Sequence, residues 1–254
     1  GGVYRESVRV RVSGTADAPI VFRSAPDEKV VFDGQDHMLN VAFSVFNKSH
    51  LVFDGFYFRN YRRIWTRGLF NVVRGSDITI RRCFADGRSP GSNPELLTGG
   101  GTSNLLVKNC VQVWGWGFIA YGAPNGLRIE NNVILRVSIN PFGLGGKIRD
   151  VTVTNNIVTD NLVKKRFVSL SPFGDEDIAP VTLKDNCFFL RWPETERSVF
   201  GRNGGTLAEY QAEHTERAAG NVAVDPQFAC APSSEDVFAP DRMMRAGFPL
   251  DFDF

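Results

Sequence analysis

The chain has 254 residues, and its 29 lysines and arginines nearly cancel its 28 aspartates and glutamates. This balance excludes a global field aimed at nucleic acid or an anionic membrane, so any electrostatic selectivity must be local. No apolar run approaches the roughly 18 to 20 residues a membrane-spanning helix needs, and no shift in composition divides the chain, so one domain over 1–254 is expected.

Gly1 to Glu6 read as the end of a turn, which implies a leader and an N-terminal cap upstream of Gly1. Ala18 to Ala25 (APIVFRSA) is a first, loose copy of a repeat that then recurs six times without gaps. The copies are SHLVFDGFYF from Ser49, SDITIRRCFA from Ser76, SNLLVKNCVQV from Ser103, NGLRIENNVIL from Asn125, RDVTVTNNIVT from Arg149 and APVTLKDNCFF from Ala179. Each is a polar turn, an apolar-x-apolar strand, two polar residues, then Asn or Cys before another apolar residue. The lead positions Leu51, Ile78, Leu105, Leu127, Val151 and Val181 are separated by 27, 27, 22, 24 and 30 residues. Alternation of period two, rich in Val, Ile and Thr, makes each copy one coil of a three-sided solenoid of strands.

The position after the two polar residues holds Phe56, Cys83, Cys110, Asn132, Asn156 and Asn186. Stacked at the strand spacing of about 4.8 Å, these predict an inward ladder in which asparagine amides bond along the axis. Cys83 and Cys110 share that ladder, as stacked thiols or as a disulfide. With no CxxC pair and no nearby histidine, the four cysteines do not suggest zinc.

A second strand precedes most copies. Its alternation puts Phe43, Phe70, Leu97, Ile119, Phe142 and Val168 inside, and Ser44, Asn71, Thr98, Ala120, Gly143 and Ser169 outside. The row beside these, Ala42, Leu69, Leu96, Phe118, Pro141 and Phe167, reads as an apolar stripe facing outward, the mark of a binding or covered surface. Further on, Thr206-Leu-Ala-Glu209 is a capping box that opens a helix to about Thr215, and Gly220 to Phe228 returns to extended chain.

The expected fold is all-β: a right-handed, single-stranded parallel β-helix with coils over 1–205, and a capping helix and tail over 206–254. A solenoid must cover its ends to block strand addition.

The opening GVYRESVRV, SGTADAPIVFRSAP and VVFDG resembles the first coils of the chondroitinase B and alginate lyase family, within the pectate-lyase-like superfamily of parallel β-helix proteins. TLAEYQ and VAVDPQF resemble the end segment of secreted bacterial β-helix proteins. The resemblance spans nearly the whole chain and implies a secreted, periplasmic or cell-surface protein acting on acidic polysaccharide. The lysine-serine pair and arginine-histidine-glycine turn of those lyases have no counterpart. Tyr121-Gly122-Ala123-Pro124 stands where the arginine turn would fall, so no catalytic or calcium-holding residue is carried over.

Turns of varying length join the repeat copies to the second strands, and stacking brings them onto one edge. There, guanidinium forks would grip carboxylate or sulfate and indoles would stack on sugar rings. For β-elimination, the candidate bases are His37, Tyr61 and Lys164, and the candidate carboxylate neutralisers are Arg62, Arg63, Arg67 and Arg88. Trp65, Asn71, Asp86, Glu95, Trp114, Trp116, Lys165 and Arg166 are candidate substrate contacts. Hydrolysis would instead draw a carboxylate pair from Asp36, Asp86, Glu95 and Asp160. Asp175-Glu176-Asp177 could bind calcium weakly, although no ligand motif is evident. The competing reading is a non-catalytic carbohydrate-binding or surface-adhesion solenoid, or one module of a longer protein or oligomer whose partner covers the apolar stripe.

Overall fold

The computed structural model describes residues 1–35, 38–62, 67–138, 141–159, 166–171, 181–189, 199–200 and 206–228, with backbone alone over 166–171 and 199–200. Three parallel sheets of eight, eight and seven strands run the length of the molecule. The chain visits them in rotation, starting with Gly2–Tyr4 in sheet one, Val8–Val10 in sheet two and Ile20–Arg23 in sheet three. Every pairing between the described strands is parallel, so the fold is a parallel β-solenoid.

The repeat alignment is the hydrogen-bonded register. Leu51 pairs with Ile78, Ile78 with Leu105, Leu105 with Leu127, and Val151 with Val181. In sheet two, Phe43, Phe70, Leu97, Ile119 and Phe142 are neighbours on successive coils, and the described ones are all buried. The first coils fill their centre with phenylalanine. Phe43 lies on Phe70 at 5.3 Å between ring centres, and Phe22 on Phe53 at 5.2 Å, each pair inclined by only 8°. Each such side chain contributes about 1.5–3 kcal/mol by leaving water.

One sharp corner between sheets three and one repeats on the coils from Gly55 onward. Its outer residue takes positive φ at Gly55, Arg82, Asn109, Asn131, Asn155, Asp185 and Gly220. Gly, Asn and Asp enter that conformation most readily, which explains the polar pair in the repeat. The next residue turns inward as the ladder. The Asn156 Oδ1 accepts from the backbone N–H of Asn132 at 3.0 Å and from its amide at 2.9 Å, and Asn186 does the same for Asn156. Each amide also donates to a carbonyl across the coil, as Asn156 does to Ile129. Cys83 and Cys110 occupy earlier rungs as buried free thiols, each bonding the carbonyl two residues back.

The tail differs from the expected plain cap. Asn221 is a fourth asparagine rung, its Oδ1 accepting from the Asn186 N–H at 3.0 Å, and Val222 bridges to Cys187 in parallel. The helix spans Leu207–Glu213, two residues shorter than its expected end at Thr215, and both halves of its capping box form. Leu207 seats in the main core.

The outward apolar stripe is the largest correction. Ala42, Leu69, Leu96 and Phe118 belong to the core, and Pro141 is buried; the Phe167 side chain lies outside the description. The alternation loses its phase where the chain swings from sheet one into sheet two. The Ala42 and Phe43 N–H groups both donate to the Leu69 carbonyl, and those of Phe118 and Ile119 both donate to the Pro141 carbonyl. Two successive residues therefore face inward at this corner.

Candidate functional site

Turns of varying length join sheet one to sheet two along one edge. Their backbones are tied coil to coil: the Tyr61 carbonyl accepts from the Asn93 N–H at 3.2 Å and the Ser92 hydroxyl at 2.8 Å, and the Pro94 carbonyl accepts from the Trp116 N–H at 3.1 Å. Counting back from the pairs Leu97–Phe70 and Leu97–Ile119, Arg67, Pro94 and Trp116 hold one register position on three successive coils. At about 4.8 Å per coil, Arg67 and Trp116 stand roughly 10 Å apart along the edge.

The edge treats its residues differently. Arg62 and Arg67 are exposed, and Trp116 is 37% exposed. Tyr61 is only 1% exposed, set edge-on against Phe58 in the core. Burial raises its hydroxyl pKa well above the ordinary tyrosine range, with Asp33 and Glu6 adding to the rise. A phenol so placed cannot reach a substrate proton at neutral pH. Arg88 is likewise engaged: its Nε and one terminal nitrogen hold the two Asp86 oxygens at 2.7 and 2.6 Å, and its backbone N–H adds a third bond. Burial alone would lower the Arg88 pKa, but the bonds to Asp86 outweigh it and hold the guanidinium charged. With the fork already filled, Arg88 is no free neutraliser for a substrate carboxylate.

Tyr57, absent from the sequence candidates, completes this cluster by donating its hydroxyl to Asp86 at 2.5 Å. Asp33, one coil row earlier, anchors Arg59 at 2.9 Å and the Asn60 amide at 3.1 Å, and Asn60 in turn accepts from the Ser89 hydroxyl at 2.5 Å. The bonds to Asn60, Gln35 and Arg59 overcome the cost of burial and hold the Asp33 carboxyl below its usual pKa. A signal for this network existed: Asp33, Arg59 and Asp86 share one register position on successive strands, with alternating charge.

Glu95 is buried on the strand Glu95–Gly100. Trp114 sits at a φ of 61° and packs against an apolar cluster outside sheet one, so it supports the edge from behind. The short crossing after it is held from within by the buried Gln112, whose amide donates to the Gly117 carbonyl at 2.6 Å and the Pro94 carbonyl at 3.2 Å. His37, Arg63, Trp65, Lys164 and Lys165 lie outside the described residues, as do Asp36, Asp160 and Asp175 to Asp177; Arg166 opens the strand Arg166–Ser171, of which only the backbone is described. Among the described residues no group of three or more His, Cys, Asp or Glu could hold a metal ion.

The outer face of sheet two forms the floor beside this edge. Asn71 and Thr98 are buried, and the Thr98 hydroxyl accepts from the Gly68 N–H at 2.6 Å as the preceding turn folds onto it. Among the described residues the row continues with small ones: Ala120, Gly122, Gly143 and Gly145 are half-buried. Gly122 and Gly143 lack positive φ, and an added Cβ would meet nothing nearer than 3.8 Å and 3.4 Å. Neither backbone strain nor crowding demands glycine there.

No protein-family model and no curated protein sequence matches the chain. Among solved structures it is similar to the crystal structure of PfbA, a surface adhesin of Streptococcus pneumoniae, at 12% identity and a TM-score of 0.36 over 66% of this chain. It spans 54% of the length of that structure. No helix among the described residues is long and apolar enough to cross a membrane.

Proposed function

We propose that this protein is a non-catalytic carbohydrate-binding β-solenoid that holds an acidic polysaccharide along the edge between sheets one and two. The flat shelf of Ala120, Gly122, Gly143 and Gly145 carries this reading, because two of its glycines are not required by the backbone and Trp116 stands at its near end. Sugar rings dock their C–H faces on flat apolar surfaces and indoles, and the exposed Arg62 and Arg67 offer two-point bonds to carboxylate or sulfate. Of the elimination candidates among the described residues, Tyr61 is committed to the core and Arg88 to Asp86, while Arg62 and Arg67 are exposed. The resemblance of the opening coils to chondroitinase B and alginate lyases, within the pectate-lyase-like superfamily, supports uronate-containing polymers as the ligand class and a secreted or cell-surface location.

Calorimetric titration with alginate, pectate and glycosaminoglycans, with absorbance of unsaturated uronate followed in parallel, tests the proposal. Saturable binding to at least one polymer with flat absorbance supports it. Rising absorbance would replace it with polysaccharide elimination, in which His37 or Lys164 would be the base to test. Absence of binding to all of them would defeat it.

A further inference from the structure

The outer face of sheet two changes character on its first coils. Arg9 and Arg11 flank the buried Val10, so by alternation both point outward, and both are exposed. Phe46 ends the strand of the next coil, Phe43–Phe46, with 39% of its surface exposed. Its partner on the third coil is the half-buried Val73, and the exposed Arg74 follows. Counting on from the pair Val10–Val45, Arg11 stands beside Phe46. Arg11 is then one coil spacing of about 4.8 Å from Phe46, and Arg74, one coil on and one position along, is about 6 Å away on the other side.

These cations have no internal duty among the described residues. Arg59, Arg81, Arg82 and Arg88 are each gripped by a carboxylate, whereas Arg9, Arg11 and Arg74 meet no described one. The strands of sheet two supply no competitor, since Glu95, their single acidic residue, is buried. Nor does the backbone ask for arginine at 74: its φ of 53° favours Gly or Asn, and the matching corners of neighbouring coils hold Asn47, Gly101 and Ala123. A Cβ added at Gly101 would come to 3.7 Å from the Arg74 Cγ, so the arginine stem lies over Gly101, whose N–H bonds the Gly122 carbonyl of the shelf.

An exposed phenyl ring bracketed by guanidinium groups suits one kind of ligand. The C–H face of a sugar ring packs on the phenyl ring while oxyanions to either side enter the forks. A lipid surface would call for a contiguous apolar patch, and Phe46 stands instead among Ser44, Asn47 and the cations. We infer, on the polysaccharide-binding reading above, that Phe46, Arg9, Arg11 and Arg74 form an anchoring subsite on coils one to three. It takes a sugar ring with an oxyanion on either side, and it sets the selectivity of the protein for charged over neutral polysaccharide.

The full chain with 4-fluorophenylalanine in place of Phe46 provides the test by fluorine NMR. Hexasaccharides of alginate, pectate and chondroitin sulfate are titrated, and at least one is expected to shift the fluorine signal saturably, with the midpoint that calorimetry gives for the whole chain. A neutral dextran oligosaccharide should leave the signal unmoved. Arg11→Gln combined with Arg74→Asn is expected to weaken that binding at least about tenfold. The urea midpoint should hold, because Asn suits the backbone at position 74. Calorimetric binding with a silent fluorine signal, or affinity indifferent to the double change, would overturn the subsite and leave polysaccharide binding elsewhere on the molecule standing. No calorimetric binding of any of these sugars would remove both. A larger fluorine response to phosphatidylglycerol vesicles or to duplex DNA than to any oligosaccharide would overturn the assignment to a sugar.

Discussion

Arg88 closes a two-point fork on Asp86, two residues away, while Tyr57 bonds the same carboxylate from the neighbouring coil. The three groups saturate one another at the start of a long turn, so this cluster holds the path of the edge.

Removing one partner should therefore cost stability more than binding. Arg88→Ala is expected to lower the free energy of unfolding by about 2–3 kcal/mol, because Asp86 keeps its burial and loses its charge-assisted bonds. Urea unfolding measures the loss, and polysaccharide affinity of the folded variant should stay within about twofold. A stable variant that no longer binds would mean that Arg88 faces the ligand.

The shelf predicts the opposite pattern. Gly143→Tyr is expected to leave the melting temperature within a few degrees, since a Cβ has room at that position, and to weaken polysaccharide binding about tenfold or more by filling the floor. Gly100→Ala is the contrasting change: its Cβ would come to 2.6 Å from the Gly122 carbonyl oxygen, so the fold itself should lose stability. Unchanged affinity in Gly143→Tyr would move the binding surface elsewhere.

The asparagine ladder is expected to be energetically dense. Asn156→Leu removes bonds to Asn132, Asn186, Ile129 and Thr154 and strands their buried carbonyl and amide groups. Each stranded group costs about 1–3 kcal/mol, so the change should destabilise by at least about 3 kcal/mol despite the added apolar volume. Chemical denaturation measures this, and a neutral result would show that the amides are readily replaced by packing.

Acid should loosen the coils near Asp54. Burial alone would raise the Asp54 carboxyl, but bonds to Arg82 and Arg81 outweigh it and hold the pKa below its usual 3.8, and Asp33 is lowered in the same sense. A depressed folded pKa contributes stability that is fully present above the ordinary value and is lost as pH falls from there through the folded value. The urea midpoint should therefore be flat from pH 7 to 5 and decline below about pH 4. Asp54→Asn should flatten that decline while lowering stability at neutral pH, and an equally steep decline in the variant would assign the acid sensitivity to other carboxylates.

Much of the architecture was legible in the residues because a solenoid repeats its physics every coil. The positive-φ corner selects Gly, Asn or Asp, the next position points inward, and period-two alternation then aligns strands whose partners lie 22 to 30 residues away. The pairing Ser44–Asn71–Thr98–Ala120–Gly143 followed from those local rules. Asn221 escaped notice because its rung follows a helix, so the repeat pattern was interrupted before it.

The site was less legible, and for a specific reason. Sequence alone determined which residues share a rung and a sheet, because strand alternation and backbone hydrogen bonding are local and periodic. Only the tertiary structure decided which outward residues meet solvent. The corner between sheets one and two turns two successive residues inward, drawing Leu69 and Phe118 into the core, and Gly68 folds over Thr98. Arg88 reaches back to Asp86 for the same kind of reason: burial and charge pairing depend on how turns lie across neighbouring coils, which no period in the chain encodes.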